Sequence, residues 1–251
     1  MTFETTNDAF LGGKVYALQP KRGFRSGIDA VLMAAAIPAQ TNDTVLELGC
    51  GVGIASLCLG ARVTGLTLTG AELQPDYADL ATKNAMSNKA NMTIICADLR
   101  SLPIDLRQQQ FSHVMMNPPY YDRAQGNSAK DAGRDVALAG DTPLGDWLDV
   151  GIKRLAPKGT LTIIQHMTRL PEVLTAVNGR LGSIKLRPIA AQANAAPGLF
   201  LLQAKHSGRG PFMMSCPLVM HGNLVKQGDL ESYTTAAKKI LRDGAYFPIS
   251  D

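Results

Sequence analysis

The chain has 251 residues, of which 45% are hydrophobic and 18% are charged. This length and composition predict one globular domain with a continuous core, and they argue against a disordered or fibrous chain. The longest apolar stretches, Ala30 to Pro38 and Ala195 to Leu202, are far shorter than the roughly 20 residues of a membrane-spanning helix. Residues 1–10 lack the pattern of a signal peptide. We therefore expect a soluble, cytoplasmic protein with no membrane partner.

The four cysteines, Cys50, Cys58, Cys96 and Cys216, are widely separated and form no Cys-x-x-Cys pair. Neither a disulfide framework nor a metal site fits this spacing. We expect all four to be reduced thiols that fill space in the core, and we expect no bound metal.

Lysine and arginine exceed aspartate and glutamate by 25 to 21, which gives a formal net charge of +4. A mildly basic protein can bind a polyanion, but this balance does not require one. The basic residues are unevenly placed. They are concentrated in an N-terminal group and in a group after residue 120: Lys14, Lys21, Arg22 and Arg25, then Arg123, Lys130 and Arg134. These two groups fit either solvent-exposed charges on loops or contacts with a nucleic acid.

Strand signals alternate with helix signals from residue 45 onward. The predicted strands are Thr44–Leu48, Leu66–Leu73, Met92–Ala97, Phe111–Met116, Thr160–His166, Ile184–Ile189 and Leu199–His206. The predicted helices are Ile54–Leu59, Pro75–Asn88, Leu144–Leu155 and Pro171–Leu181, and the glycine-containing stretch Asp122–Asp141 is predicted to be a loop.

This alternation predicts an α/β fold with a mostly parallel, seven-stranded twisted sheet and helices on both faces. In such folds, ligands bind at the carboxyl ends of the strands. We expect a single domain over residues 1–251, divided into an N-terminal element (1–42), a core (43–216) and a C-terminal extension (217–251).

A glycine turn follows the first of these strands in the sequence Glu47-Leu48-Gly49-Cys50-Gly51-Val52-Gly53. Glycines let the backbone approach a ligand closely. Position 54 is isoleucine, so the dinucleotide fingerprint is not met. The acidic residue with G-x-G-x-G instead resembles the motif of the Rossmann-like class I methyltransferases, which implies S-adenosyl-L-methionine as cofactor. A tight turn without a ligand is the alternative.

Two further acidic residues end the next two predicted strands. Glu72, followed by Leu73, could accept hydrogen bonds from a ribose diol, and Asp98, followed by Leu99, could accept one from an adenine amino group. Either acid alone is compatible with an ordinary strand end. Together with the glycine turn they predict one cofactor site.

The fourth strand of the core ends in Asn117-Pro118-Pro119-Tyr120. This sequence resembles the catalytic motif of methyltransferases that act on amino nitrogens of adenine, guanine or glutamine. The Asn117 side-chain oxygen and the Pro118 carbonyl can hold both N–H groups of a planar amine. The prolines would fix the loop, and Tyr120 could stack on the target base.

The segment before the core contains Arg25, Gly27 and Asp29 in the sequence Arg-Ser-Gly-Ile-Asp. It resembles the start of the bacterial tRNA1(Val) (adenine-37-N6)-methyltransferases. Their N-terminal element covers the cofactor, and its three matching residues are expected to do so here. The resemblance implies tRNA as partner, for which we nominate Lys21, Arg22, Tyr121, Arg123, Lys130 and Arg134.

Several alternatives stay open. The same loop occurs in ribosomal-RNA guanine-N2 methyltransferases and in release-factor glutamine methyltransferases, although the latter carry a helical N-terminal domain for which residues 1–44 are too few. A binding protein that retains the fold is the non-enzymatic alternative. Ile28 to Ile37 could simply be an amphipathic helix. The sequence does not decide between monomer and homodimer, and it assigns no role to His166.

Overall fold

A computed structural model describes residues 4–120, 142–222 and 232–250. Within these residues a hairpin of two strands accompanies a sheet of nine. The strands, numbered in chain order, are β1 Thr5–Phe10, β2 Val15–Pro20, β3 Thr44–Leu48, β4 Thr67–Glu72, β5 Met92–Cys96, β6 Phe111–Met116, β7 Leu155–His166, β8 Leu181–Gln192, β9 Leu199–His206, β10 Met213–Met214 and β11 Leu218–His221.

Helices lie between most of these strands, as the sequence predicts. The α-helices are α1 Ile28–Ala36, α2 Ile54–Arg62, α3 Pro75–Ser87, α4 Ile104–Gln108, α5 Leu144–Lys153, α6 Leu170–Val177 and α7 Thr235–Lys238. Short 3-10 turns occupy Leu11–Gly13, Leu99–Ser101 and Met167–Arg169, and a π-turn occupies Lys239–Asp243. The predicted loop Asp122–Asp141 lies outside the described residues.

The seven predicted core strands form the sheet in the order β8-β9-β7-β6-β3-β4-β5. Strands β3 to β7 pair in parallel, whereas β9 runs antiparallel to both β7 and β8. The predicted α/β class with a mostly parallel sheet is therefore confirmed. The short strands β10 and β11 add to the β8 edge. The carboxyl ends of β3, β4, β5 and β6 consequently lie at one edge of the sheet.

Apolar side chains cover both faces of the sheet. One cluster gathers α1, α2 and residues of the terminal segments, while the other gathers α4, α5 and α6. Alternation along β7 illustrates the division. Leu161 and Ile163 belong to the second cluster, whereas Ile164 belongs to the first, because successive side chains of a strand point to opposite faces.

Helix α1 is buried on every side, so the amphipathic interpretation of Ile28 to Ile37 is wrong. All residues from Ala30 to Ala36 are buried. Residues 240–249 cover the helix, and the backbone N–H of Phe247 donates to the carbonyl of Ala35 at 2.9 Å. A helix that is apolar all round needs such cover on each face.

Most element boundaries differ slightly from the sequence prediction, and two differ by more than three residues. Strand β7 begins at Leu155 rather than Thr160, because Leu155 already pairs with Phe111 and the Pro157–Gly159 stretch, in which Lys158 has a φ of +65°, forms a bulge within the strand. Helix α6 ends at Val177 rather than Leu181. Gly179 then adopts a φ of +70°, a left-handed conformation that ends helices, and Leu181 begins β8.

The expectation for the cysteines is half wrong. Cys50 and Cys58 are buried, but Cys96 and Cys216 are exposed. All four are free thiols. Across residues 4–120, 142–222 and 232–250 no helix is long and apolar enough to cross a membrane, and no group of three His, Cys, Asp or Glu side chains could hold a metal ion.

Candidate active site

A cavity of about 350 Å³ lies at the carboxyl ends of β3, β4, β5 and β6. Its volume falls in the range of small-molecule sites. Most of the residues nominated for the cofactor and for catalysis line it: Arg25, Gly27, Asp29, Gly49, Gly51, Glu72, Leu73, Asp98, Leu99, Asn117, Pro118, Pro119 and Tyr120.

The glycine turn shapes one wall of this cavity. Gly49 and Gly51 have φ values of +66° and +55°, which non-glycine residues rarely adopt. The N–H groups of Gly49 and Cys50 both donate to the carbonyl of Ala71, at 2.8 and 3.1 Å, and that of Gly51 donates to Glu72. These amides are engaged within the protein. The turn therefore contributes close backbone approach rather than free donors at these three positions.

Glu72 joins the glycine turn to the end of β4. Its Oε2 accepts from Gly51 N and its Oε1 accepts from Gln74 N, each at 2.9 Å. Burial raises the pKa of this carboxyl, although the backbone hydrogen bonds oppose the rise. Each carboxylate oxygen has a further lone pair. Glu72 can thus hold the turn and still accept from a ligand hydroxyl in the cavity.

Two nominated residues, Glu47 and Gly53, do not line the cavity. Glu47 is buried under the turn, where its Oε2 accepts from both Ser56 N and Ser56 Oγ, at 3.1 and 2.5 Å. Burial raises its pKa to about 8. Gly53 precedes α2 with a φ of +87°. In this structure both residues fix the start of α2 behind the turn.

Asp98 lines the cavity at the end of β5 and binds Arg100. The Arg100 guanidinium donates to Oδ1 through Nε at 3.2 Å and to Oδ2 through Nη2 at 2.8 Å. Hydrogen bonding from the Arg100 side chain lowers the pKa of Asp98. The carboxylate therefore stays ionised, as an acceptor for an amino group requires.

The loop after β6 contacts the start of α1. The Tyr120 hydroxyl donates to Oδ2 of Asp29 at 2.6 Å, and the Asn117 side chain lies near this hydroxyl. Burial, and then the charge of Asp29, raise the pKa of Tyr120 far above its usual value. The hydroxyl stays protonated and continues to donate. Asn117 lines the same cavity, and the oxygen of its side-chain amide can accept a hydrogen bond from a substrate.

The carbonyl of Pro118, the second predicted acceptor, has a protein partner. Nε2 of Gln165 donates to it at 3.2 Å. Gln165 is completely buried. Because a carbonyl oxygen has two lone pairs, one remains for a second donor.

The N-terminal element is anchored to α3 beside the cavity. Asn84, which is completely buried, donates to Leu18 O and accepts from Leu18 N. The Tyr77 hydroxyl accepts from Phe24 N at 2.9 Å. Arg25 stabilises this N-terminal element internally, because its guanidinium donates hydrogen bonds to Asp8, Thr6 and Pro20.

The nominated RNA-contacting residues divide into two groups. Lys21 and Arg22 are exposed next to the cavity-lining segment, and Lys21 forms an ion pair with Glu4 at 3.3 Å. The other four, Tyr121, Arg123, Lys130 and Arg134, lie outside the described residues. His166 does not line the cavity, and its Nδ1 bonds Thr168 Oγ1 at 2.9 Å.

Sequence reasoning missed several residues of the site. Phe24, Tyr77 and Trp147 give the cavity aromatic walls. A Cβ on Gly49 would lie 2.4 Å from Cη2 of Trp147, so the bare glycine admits the indole. Two signals were present, since Trp147 is the single tryptophan of the chain and Gln165 interrupts an apolar run.

Comparison with known sequences shows which proteins this chain is similar to. Residues 26–184 match the family Methyltransferase small domain. Two similar relatives, from Shewanella halifaxensis and Bacteroides fragilis, are named tRNA1(Val) (adenine(37)-N6)-methyltransferase. They are 31% and 25% identical over 63% and 59% of this chain, and over 66% and 62% of their own lengths. The matches thus span slightly less than two thirds of these relatives.

Solved structures share the fold. A protein from Agrobacterium tumefaciens described as a predicted O-methyltransferase superposes with a TM-score of 0.71 at 20% identity. The superposition covers 88% of this chain and 98% of that one. At this level of identity the likeness supports the architecture alone, and the chemistry rests on the residues of the cavity.

Proposed function

Because the chain belongs to the Methyltransferase small domain family, we propose that it transfers a methyl group from S-adenosyl-L-methionine to an adenine N6 amine in RNA. We further propose that the substrate is adenosine 37 of a valine tRNA, the position in the names of the relatives from Shewanella and Bacteroides. The observation that carries the proposal is the pair of acceptors, the Asn117 side chain and the Pro118 carbonyl, in the wall of one cavity with Glu72 and Asp98.

The residues that line the cavity have the shape and the polar groups that S-adenosyl-L-methionine requires. Gly27 lines the cavity, and a Cβ there would meet no protein atom within 4 Å. Glu72 and Asp98 offer acceptors for ribose hydroxyls and an adenine amine, and Leu73 and Leu99 offer apolar contact beside them. When bound, the cofactor supplies an electrophilic methyl group on a sulfonium sulfur.

The residues of the loop after β6 would bind and orient the substrate amine, which is the nucleophile. The lone pair of an aromatic amine is delocalised into the ring, so the nitrogen is a weak nucleophile. Asn117 and Pro118 would each accept one N–H and so turn the nitrogen lone pair toward the methyl group. Tyr120 offers a ring on which the base can stack. A base within a duplex would have to leave the stack to reach them.

The direct test is incubation with radiolabelled S-adenosyl-L-methionine and separate pools of tRNA, ribosomal RNA and release factor. The product nucleoside is then identified by mass spectrometry. N6-methyladenosine in tRNA, mapped to adenosine 37 of the valine species, is the expected result. N2-methylguanosine in ribosomal RNA or methylglutamine in release factor would contradict the proposed tRNA substrate. Cofactor binding without transfer to any pool would favour a binding protein.

A further inference from the structure

Gln165 is a polar residue in an otherwise apolar part of β7. Its alternation with Leu161 and Ile163 puts it on the face of the sheet that packs against α5. The side chain is completely buried. A buried amide without hydrogen-bond partners destabilises the folded protein, so the hydrogen bonds of Gln165 must offset that cost.

Both ends of this amide have defined partners. Oε1 accepts from the backbone N–H of His166 at 2.8 Å, and Nε2 donates to the carbonyl of Pro118 at 3.2 Å. A backbone N–H can only donate, so the atom that faces His166 must be the oxygen. The NH₂ group is therefore oriented toward Pro118, and the amide cannot be reversed without placing two donors against each other.

The Pro118 carbonyl needs a side-chain hydrogen-bond donor because the backbone pairing of the sheet does not extend to it. Pairing between β6 and β7 ends at Met116 and Ile163. Pro118 and Pro119 have no N–H with which to extend the ladder. Beyond these residues, in the described part of the chain, the hydrogen bond from Gln165 to Pro118 connects β7 to the loop after β6.

We propose that Gln165 is a positioning residue that fixes the direction of the Pro118 carbonyl, so that its second lone pair meets the N–H of the substrate amine. This inference rests on the proposed function. It gives Gln165 no contact with the substrate. Its effect on the reaction is through the angle and position of Pro118, where a displacement of about 1 Å is enough to lower a rate about 100-fold.

Two substitutions separate this role from simple packing. Gln165→Met keeps the length of the side chain but removes the donor to Pro118, so kcat should fall about 10- to 100-fold while cofactor affinity stays unchanged. Gln165→Glu places a carboxylate against the carbonyl. Because burial raises the pKa of a carboxyl, this variant should regain kcat as pH falls, when the protonated carboxyl can again donate to Pro118.

The matched control is Gln203→Met. Gln203 is also a buried glutamine, and its Nε2 donates to Ala36 O and Thr162 Oγ1 at 2.8 and 3.1 Å, outside the cavity lining. This variant should lose thermal stability as Gln165→Met does but retain wild-type kcat. Comparable losses of kcat in both methionine variants, or a wild-type kcat in Gln165→Met, would overturn the positioning role.

A structural readout keeps this inference separate from the proposed function. If the wild-type protein methylates none of the pools, the proposed function fails. The crystal structure of Gln165→Met then decides the positioning question. A rotated or displaced Pro118 carbonyl supports it, whereas a carbonyl in the wild-type position overturns it.

Discussion

The Tyr120 hydroxyl donates to the Asp29 carboxylate at 2.6 Å across 91 residues of sequence. This bond joins the loop that carries the two acceptors to the first turn of α1. The N-terminal element and the loop after β6 therefore meet directly at the cavity, and the position of one depends on the other.

Tyr120→Phe should test this connection, because it removes the hydroxyl and keeps the ring for stacking. Hydrogen bonds to charged groups are worth about 1.5–3 kcal/mol, so we expect kcat to fall about 10-fold or more. Asp29→Ala should have a similar effect, and the double variant should be little worse than either single variant. Steady-state kinetics of the three proteins provide the measurement. Additive losses would show that the two residues act independently.

Asn117→Ala should abolish methyl transfer while cofactor binding survives. The substitution removes one of the two acceptors for the amine but leaves Glu72 and Asp98 in place. Calorimetric titration with S-adenosyl-L-methionine and a single-turnover assay separate the two effects. Turnover at the wild-type rate would contradict the two-acceptor account.

Glu47 should make the protein less stable as pH rises. Its folded-state pKa of about 8 lies above the ordinary value of 4.5, so the folded protein binds the extra proton more tightly than the unfolded chain does. The stabilisation from this proton is complete below pH 4.5 and is lost as pH rises through 8. Glu47→Gln lacks this titration, and its amide oxygen can still accept from Ser56.

The measurement for Glu47 is thermal unfolding of both proteins between pH 5 and pH 9. The difference in Tm should move in favour of Glu47→Gln across this range. Glu72, whose pKa burial also raises, titrates in both proteins. A constant difference in Tm would show that Glu47 ionises normally in the folded protein.

Arg22→Gln should weaken binding to tRNA and flatten its salt dependence. Loss of one phosphate contact lowers the slope of log K against log salt concentration by about 0.9 for duplex nucleic acid. Lys158→Gln is the control, because this exposed lysine lies near the amino end of β7, opposite the cavity. Replacement of Arg123, Lys130 and Arg134 by alanine should flatten the slope further. Equal slopes in all variants would identify these residues as solvated charge.

Gly49→Ala should close part of the cavity, whereas Gly145→Ala should be harmless. A Cβ at Gly49 would collide with Trp147, and its φ of +66° strains any side chain, but a Cβ at Gly145 in α5 meets nothing within 4 Å. A glycine-to-alanine change that fits the backbone stabilises a protein by about 0.4–1 kcal/mol. Binding titrations should show cofactor affinity lost in the first variant alone. Unchanged affinity in Gly49→Ala would mean that Trp147 can move aside.

The core strands and the cavity-lining motifs could be predicted because their signals are local. A buried run, a glycine turn and a strand-end acid each show themselves within a few residues. The hydrogen-bond partners of these residues could not be predicted. Arg100 beside Asp98, Asp29 beside Tyr120 and Ser56 beside Glu47 depend on side-chain directions that periodicity does not report.

The hairpin β1–β2 and the buried state of α1 escaped prediction for a related reason. Thr5–Phe10 has only a weak alternation, and it pairs with Val15–Pro20 through a turn at Leu11–Gly13. The sequence of helix α1 does not show which segment covers its outer face, where the structure places residues 240–249. Strand β2 of the hairpin is anchored by Asn84, 66 residues away, and α1 is covered by the C-terminal segment, so residues distant in sequence stabilise both features.

The cover over α1 has a consequence for biosynthesis. Ile240 and Ile249 share a core cluster with α1, so this helix is fully enclosed only after residues near position 249 have left the ribosome. A nascent chain that already contains the whole sheet would still expose the outer face of α1 to water. Asp29, at the start of this helix, would then be free to drift from Tyr120. The hydrogen bond between Asp29 and Tyr120 would therefore form late in translation, well after the strands that build the cavity have been made.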